Sequence, residues 1–253
     1  IIPALERALE ANKSGRPAYL EFICTRSILG EDLMSAIKKF CTSFVGCKII
    51  MALSGIGLVG FLLAHLAGNL LVFVGPKALN FYAESLRQYP VVLWALRIGL
   101  ICMFVAHILS GLYLWKLNRS ARKVPYQRRS YQETSFAARS MMLSGLIVIS
   151  FVIYHLAHLT FRATDLDLEV LGDYDVYSML VISFNSAFVS SFYIISIVLM
   201  MIHLSHGISS LLQTLSITNK DSIVSRYLGP LVASSLAVGF VSIPVSIYFG
   251  FIY

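Results

Sequence analysis

The sequence predicts an all-α membrane protein, a bundle of five transmembrane helices. Of its 253 residues, 57% are hydrophobic and only 13% are charged, and the mean hydropathy is +0.77. Soluble domains carry about 25% charged residues. The apolar residues are concentrated in five runs, each long enough to cross a bilayer as a helix. The expected spans are residues 48–74, 91–115, 139–161, 187–212 and 229–252.

The chain before the first span differs in composition from the rest. Residues 1–33 carry many charges and no long apolar period, so we expect Met34 to be the true start, with an over-extended reading frame at 1–33 before the domain at 34–253. A genuine cytoplasmic tail is the alternative. Met34 opens a short basic amphipathic segment that leads into the membrane. The net charge of +7 arises in the loops between the spans and therefore does not indicate nucleic-acid binding.

Basic residues are distributed unequally between the two sets of connections. Within residues 34–253, twelve lie before the first span and around the second and fourth connections, against four around the other two. The four are Lys77, Arg87, Arg97 and Arg162. The positive-inside rule then predicts a cytoplasmic N-terminus and an external C-terminus.

Glycine and proline mark the ends of the predicted elements. Gly75 and Pro76 should end the first span, and residues 78–88 should form a short amphipathic helix on the outer surface. Pro230 is expected in the first turn of the last span, and Pro244 should bend that span.

Four of the spans carry histidine at membrane depth, and one histidine from each forms the expected set: His65, His107, His155 and His203. An ionisable side chain in hydrocarbon is costly, and therefore indicates a function. At 1.5 Å per residue, His65 and His155 should lie about 25 Å from the inner boundary, and His107 and His203 about 14 Å. The imidazoles thus form two layers, each with one histidine from each half of the chain. His65-Leu-Ala and His155-Leu-Ala indicate a weak repeat of the two halves.

Two imidazoles at each of two depths are the arrangement that two bis-histidine haems b require. Gly111 and Gly207 each follow a histidine by four residues on the same helix face, where glycine leaves room for a flat macrocycle. This spacing favours His203 over His206 as the ligand, because His206 has Ser210 at the same position.

Other polar residues lie near the expected layers. His158 and His206 each follow a proposed ligand by three residues. They could hydrogen-bond haem propionates or a quinone, or pair with a neighbouring helix. Quinone reduction takes up protons, so an acid is expected near the outer layer. Glu84, with Arg87 close by, is a candidate, and an exposed surface pair is the alternative.

Five motifs follow one another in a fixed order along residues 34–253. They are Ser43-Phe-Val-Gly-Cys-Lys-Ile-Ile-Met-Ala-Leu-Ser-Gly55, His65-Leu-Ala-Gly-Asn69, His107-x-x-x-Gly111, His155-Leu and His203-Leu-Ser-His-Gly207. This series resembles the di-haem cytochrome b anchor of bacterial succinate dehydrogenase and fumarate reductase. The resemblance implies a five-helix bundle, two haems b, a quinone site, and docking to a flavoprotein subunit and an iron–sulfur subunit. It also implies that His107 and His203 hold the haem nearer those subunits, and His65 and His155 the outer one.

The expected function is therefore that of a membrane anchor in succinate:quinone oxidoreductase, respiratory complex II, in the bacterial cytoplasmic membrane. The chain would carry electrons between the iron–sulfur subunit and quinone without oxidising succinate itself. A cytochrome b anchor of another respiratory dehydrogenase and a haemless anchor are the alternatives. A transporter with a histidine proton relay would need acidic groups within the spans, which are almost absent.

Overall fold

The computed structural model describes residues 33–120, 136–164, 175–219 and 222–253. Within these ranges the chain is helical and forms no strand. The α-helices in chain order are α1 (Leu33–Thr42), α2 (Phe44–Asn69), α3 (Pro76–Arg87), α4 (Pro90–Ser120), α5 (Phe136–His155), α6 (Val176–Asn185), α7 (Ala187–Thr214) and α8 (Ile223–Tyr248). A 3₁₀ turn, Leu70–Phe73, extends α2, and a π-helical turn, Leu156–Thr160, extends α5.

Five helices are long and apolar enough to cross a membrane, as predicted. They cover Phe44–Phe73, Pro90–Ser120, Ser140–Thr160, Ala187–Thr214 and Ile223–Tyr248. The first four agree with the predicted spans to within five residues at each end. The fold class is therefore confirmed, and the chain is a multi-pass membrane protein.

The prediction for Pro230 was wrong. The last span begins at Ile223, six residues before the expected start, so Pro230 lies inside α8 and not in its first turn. Ile223 and Val224 are apolar and extend the hydrophobic segment toward the N-terminus, so the helix begins there. A membrane helix tolerates the loss of the one backbone hydrogen bond that proline removes, because groups on neighbouring helices can satisfy the freed carbonyl.

The first compact unit ends at Cys47 and contains α1. The helix is amphipathic and has Lys39 in its last turn, as expected of the segment that Met34 opens. Ser43 separates α1 from α2, and its hydroxyl accepts a hydrogen bond from the Gly46 N–H at 2.9 Å, as an N-cap does. The predicted extension at 1–33, apart from Leu33, lies outside the described residues. So do most of the basic second connection and most of the acidic third connection.

In the described parts of the connections, two short helices lie between the spans, and the sequence predicted one of them. Gly75 has a φ of 120°, which favours glycine, and Pro76 opens α3 close to the predicted start. The second short helix, α6, was not predicted, because its apolar run is too short to span a bilayer and follows an acidic connection. It ends where Ser186 adopts an extended conformation, immediately before α7.

A polar clamp joins α3 to the N-terminus of α6. The Asn80 side chain donates to Asp175 Oδ1 at 3.1 Å and accepts from the Tyr177 N–H at 3.0 Å. Asp175 caps α6 by accepting from the Ser178 N–H at 3.0 Å. Hydrogen bonds from Ser178, with smaller contributions from Asn80 and Arg162, hold the pKa of the Asp175 carboxyl below its usual value. Beneath the clamp, buried side chains of both helices join one apolar cluster, which includes Leu79 and Met179.

Replacing Asn80 with alanine is expected to lower the free energy of unfolding by about 1–3 kcal/mol, because two hydrogen bonds are lost and the caps they satisfy are exposed. Thermal unfolding of the purified chain in detergent measures the effect. Ser85→Ala is the matched control, since the Ser85 hydroxyl donates to the Phe81 carbonyl of its own helix at 2.8 Å. Equal melting temperatures for the two variants would show that the clamp does not stabilise this end of the bundle.

Among the described helices, α7 and α8 make the most extensive contact with each other. Gly229 of α8 lies so near α7 that an added Cβ would overlap the Ser205 carbonyl oxygen and crowd the Ser209 hydroxyl. Small residues allow such close backbone approach between membrane helices. Many side chains of the last span are buried. Together with α2, α4 and α5, helices α7 and α8 surround a large internal space.

Candidate functional site

A cavity of about 1420 Å³ runs through the bundle. Side chains from α2, α4, α5, α7 and α8 line it. Pockets for one small molecule usually enclose about 300–1,000 Å³, so this cavity has room for more than one ligand of that size. All four histidines singled out in the sequence are among the lining residues.

The four histidines form two facing pairs. The ring centroids of His65 and His155 lie 6.0 Å apart, with their planes at 89°. Those of His107 and His203 lie 6.4 Å apart, with their planes at 72°. These are the pairs that the depth argument predicted, and each joins one histidine from each half of the chain.

The spacing within each pair fits a metal ion held between two imidazoles. A metal–imidazole bond measures about 2 Å, which places two rings on opposite sides of one ion with centroids about 6 Å apart. Among the described residues, no group of three or more His, Cys, Asp or Glu is arranged to hold a metal. Two protein ligands suffice only where another group fills the remaining positions. A porphyrin does so, because its four nitrogens surround the iron.

Hydrogen bonds orient the rings of the His107–His203 pair. His107 Nδ1 donates to the Met51 carbonyl at 3.2 Å and lies 3.4 Å from Ser54 Oγ. His203 Nδ1 lies 3.2 Å from Ser144 Oγ. A backbone carbonyl can only accept, so Nδ1 of His107 carries the proton and its Nε2 keeps a free lone pair. Histidines that bind metals are commonly held in this way through the nitrogen that does not bind.

Aromatic rings, in contrast, surround the His65–His155 pair. Phe61 stacks on His65 with centroids 5.3 Å apart, and Phe240 lies 6.0 Å from the same ring. Phe151 and Tyr193 lie 5.9 Å and 6.0 Å from His155. Nδ1 of His155 is buried, and no described residue hydrogen-bonds to it. This end of the cavity therefore offers a nitrogen that a bound ligand would satisfy.

The cavity has an apolar middle and polar ends. Three arginines line the end beyond the His65–His155 pair: Arg87, Arg97 and Arg162. Arg162 has a φ of 52°, an unusual conformation for a residue with a side chain, and one that glycine would adopt with less strain. Lys48, Asn118, His206 and Thr214 line the opposite end. A flat apolar ligand with carboxylates at one edge fits such an environment at either end.

The remaining predicted site residues lie in different places. Gly111 and Gly207 line the cavity, and a Cβ added to either would meet nothing within 4 Å. Arg87 also lines it, whereas Glu84 lies on a separate small pocket. His158 is buried outside the lining, where its Nδ1 lies 3.0 Å from the Tyr193 hydroxyl. The structure thus does not bring Glu84 or His158 into the cavity with the paired histidines.

Sequence reasoning missed the two serines beside the paired histidines. A longer comparison of the two halves finds them, because Met51-Ala-Leu-Ser-Gly55 matches Met141-Met-Leu-Ser-Gly145. Each motif stands at the same distance from its His-Leu-Ala sequence, at His65 and at His155. The weak repeat inferred from His-Leu-Ala alone therefore extends over more than four turns of helix and includes the hydrogen-bonding groups of the site.

Comparisons with protein-family models, with curated proteins and with solved structures find no match to this chain.

Proposed function

We propose that this chain is the membrane anchor and electron-transfer subunit of a succinate:quinone oxidoreductase, and that it holds two haems b in its cavity. The observation that carries the proposal is the presence of two facing histidine pairs in one cavity: His65 with His155, and His107 with His203. The resemblance of the motifs supplies the class of enzyme. By that resemblance, the partners are a flavoprotein subunit and an iron–sulfur subunit, and the substrate at the membrane is a quinone.

The chain's own residues would bind and orient the two groups. The imidazoles would supply nitrogen ligands, while Met51, Ser54 and Ser144 would hold the rings of one pair through Nδ1. Phe61 and Phe151 pack against the other pair and exclude water from it. When bound, two bis-histidine haems carry electrons one at a time and leave no open iron position for a substrate. Arginines at one end of the cavity provide positive charge for carboxylates.

The proposed orientation places the N-terminus in the cytoplasm of a bacterium and the C-terminus outside. Three of the four basic residues on the proposed outer side line the cavity: Arg87, Arg97 and Arg162. The cavity accounts for these three arginines. Lys77 then remains as the one outer basic residue of the four that does not line the cavity, against twelve on the inner side, and this asymmetry supports the orientation.

Reporter fusions test this orientation. A fusion within the connection between Lys116 and Arg139 is expected to report a cytoplasmic position, and a fusion after Tyr253 an external one. The two fusions control for each other, because a general export defect would make both appear cytoplasmic. The opposite pair of signals would reverse the orientation and assign the His107–His203 pair to the outer half of the membrane.

Spectroscopy of the purified membrane complex tests the function. Haem extraction with pyridine is expected to give two haems b per chain, and succinate should reduce them. Because the facing rings are nearly perpendicular, at 89° and 72°, the ferric haems should give strongly anisotropic low-spin EPR signals. Reduction by hydrogen or formate but not by succinate would identify the anchor of another respiratory dehydrogenase. The absence of haem would contradict the proposal.

A further inference from the structure

We propose that Ser54 and Ser144 are positioning residues that fix the tautomers of His107 and His203 and so leave the Nε2 lone pair of each ring available to a metal. The inference rests on the proposed function, in which that metal is the iron of one haem. Two observations support it. Matched serine–histidine contacts occur in the two halves of the chain, and each serine hydroxyl also has a carbonyl of its own helix as a hydrogen-bond acceptor.

The two serines occupy equivalent positions in the internal repeat. One belongs to Met51-Ala-Leu-Ser-Gly55 in α2, and the other to Met141-Met-Leu-Ser-Gly145 in α5. The serine of each motif contacts the cavity histidine of the next spanning helix, on α4 in the first half and on α7 in the second. The same contact thus occurs twice, from the same motif, at the same place in each half.

Each serine hydroxyl has one proton, and in both motifs a carbonyl of the serine's own helix lies where it can accept that proton. Ser54 Oγ donates to the Ile50 carbonyl at 2.7 Å, and Ser144 Oγ donates to the Met141 carbonyl at 3.1 Å. A hydroxyl that donates to its own helix can only accept from a second partner. In this arrangement the second partner is Nδ1 of the imidazole, which then carries the proton, as the Met51 carbonyl independently requires of His107. The helix backbone therefore determines, through the serine, which nitrogen of each ring remains free.

The two rings differ in the number of hydrogen-bond acceptors at Nδ1. Nδ1 of His107 has two acceptors, the Met51 carbonyl at 3.2 Å and Ser54 Oγ at 3.4 Å. Nδ1 of His203 has Ser144 Oγ at 3.2 Å, and no other described residue hydrogen-bonds to that ring. Loss of Ser54 should therefore be partly compensated by Met51, whereas loss of Ser144 should not.

The test is a redox titration of the purified complex, followed by optical and EPR spectra. A hydrogen bond accepted from Nδ1–H makes the imidazole a stronger electron donor to iron, so its removal should raise the midpoint potential. We expect Ser144→Ala to raise the potential of the haem at the His107–His203 pair and to shift its EPR signal. Ser54→Ala should do the same to a smaller extent. The second haem should not change in either variant.

Two further variants separate positioning from packing. Ser150→Ala removes a hydroxyl on the same helix as Ser144, where it donates to the Leu146 carbonyl at 3.0 Å, and should leave both potentials unchanged. Ser144→Thr keeps the hydroxyl and should retain the wild-type potential. If Ser144→Ala loses one haem while Ser144→Thr keeps it, the hydroxyl is needed for the His107–His203 pair to bind haem at all, and the positioning role is supported.

Several outcomes would overturn the inference. An unchanged potential in Ser144→Ala, in a chain that still binds two haems, would overturn it and leave the proposed function standing. Equal effects of Ser144→Ala and Ser144→Thr would assign the effect to packing and would also overturn it. A wild-type chain without haem would overturn the inference and the proposed function together.

Discussion

Replacing His203 with alanine is expected to reduce the haem content from two per chain to one. The His203 ring faces His107 at a centroid distance of 6.4 Å, and its removal leaves one imidazole where two are needed. The His65–His155 pair is a separate site surrounded by aromatic rings, and it should keep its haem. Haem extraction with pyridine gives the stoichiometry, and the loss of one of two EPR signals shows which site is affected.

His206→Ala is the matched control for this experiment. His206 lies one turn along the same helix and lines the same cavity, but the facing ring of His107 is paired with His203. The control variant should keep both haems. If His206→Ala loses a haem and His203→Ala keeps both, the ligand of this pair is His206. Loss of both haems in His203→Ala, together with loss of the folded chain, would assign His203 a structural role.

Replacing Gly229 with alanine is expected to destabilise the bundle by about 1–3 kcal/mol, since a single added methyl group would overlap the Ser205 carbonyl oxygen. A backbone atom cannot rotate away as a side chain can, so α8 must move away from α7. The contacts between these two helices would then be lost over several turns. The midpoint of thermal unfolding in detergent is the measurement.

Gly60→Ala is the control for Gly229→Ala, because a Cβ at Gly60 would meet nothing within 4 Å. In an open position alanine favours the helix over glycine by up to about 1 kcal/mol, so this variant should be as stable as the wild type or more so. Equal destabilisation in the two variants would show that the effect comes from the loss of glycine in a helix and not from the α7–α8 contact.

The histidine pairs could be predicted from the sequence because depth in a membrane depends on one quantity, the rise per residue of a helix. The bilayer fixes where each helix starts, so counting residues from the charged flanks placed His65 level with His155. The same count placed His107 level with His203. Apolar run length likewise gave the five spans, because hydrocarbon leaves few alternatives to a helix of that length.

Features that depend on rotation about a helix axis could not be predicted in this way. Whether Ser54 faces a histidine depends on how its helix is turned, and the five membrane-spanning helices are apolar over most of their circumference. A helix without a clear polar stripe does not indicate which face is buried. The predicted start of the last span failed for a related reason, since Pro230 was treated as a boundary signal although neighbouring helices tolerate it within α8.

The internal repeat also has a consequence for how such a chain can arise. Each half contributes one histidine to each pair, so neither half completes a pair alone, whereas two copies of one half would complete both. A two-span chain that dimerises side by side, with its copies parallel, would thus contain both histidine pairs. The two halves of this chain differ in chemistry at matched positions: Arg97 stands ten residues before His107, and Tyr193 stands ten before His203. Fusion allows the two faces of one cavity to acquire different chemistry, which an assembly of identical copies cannot do.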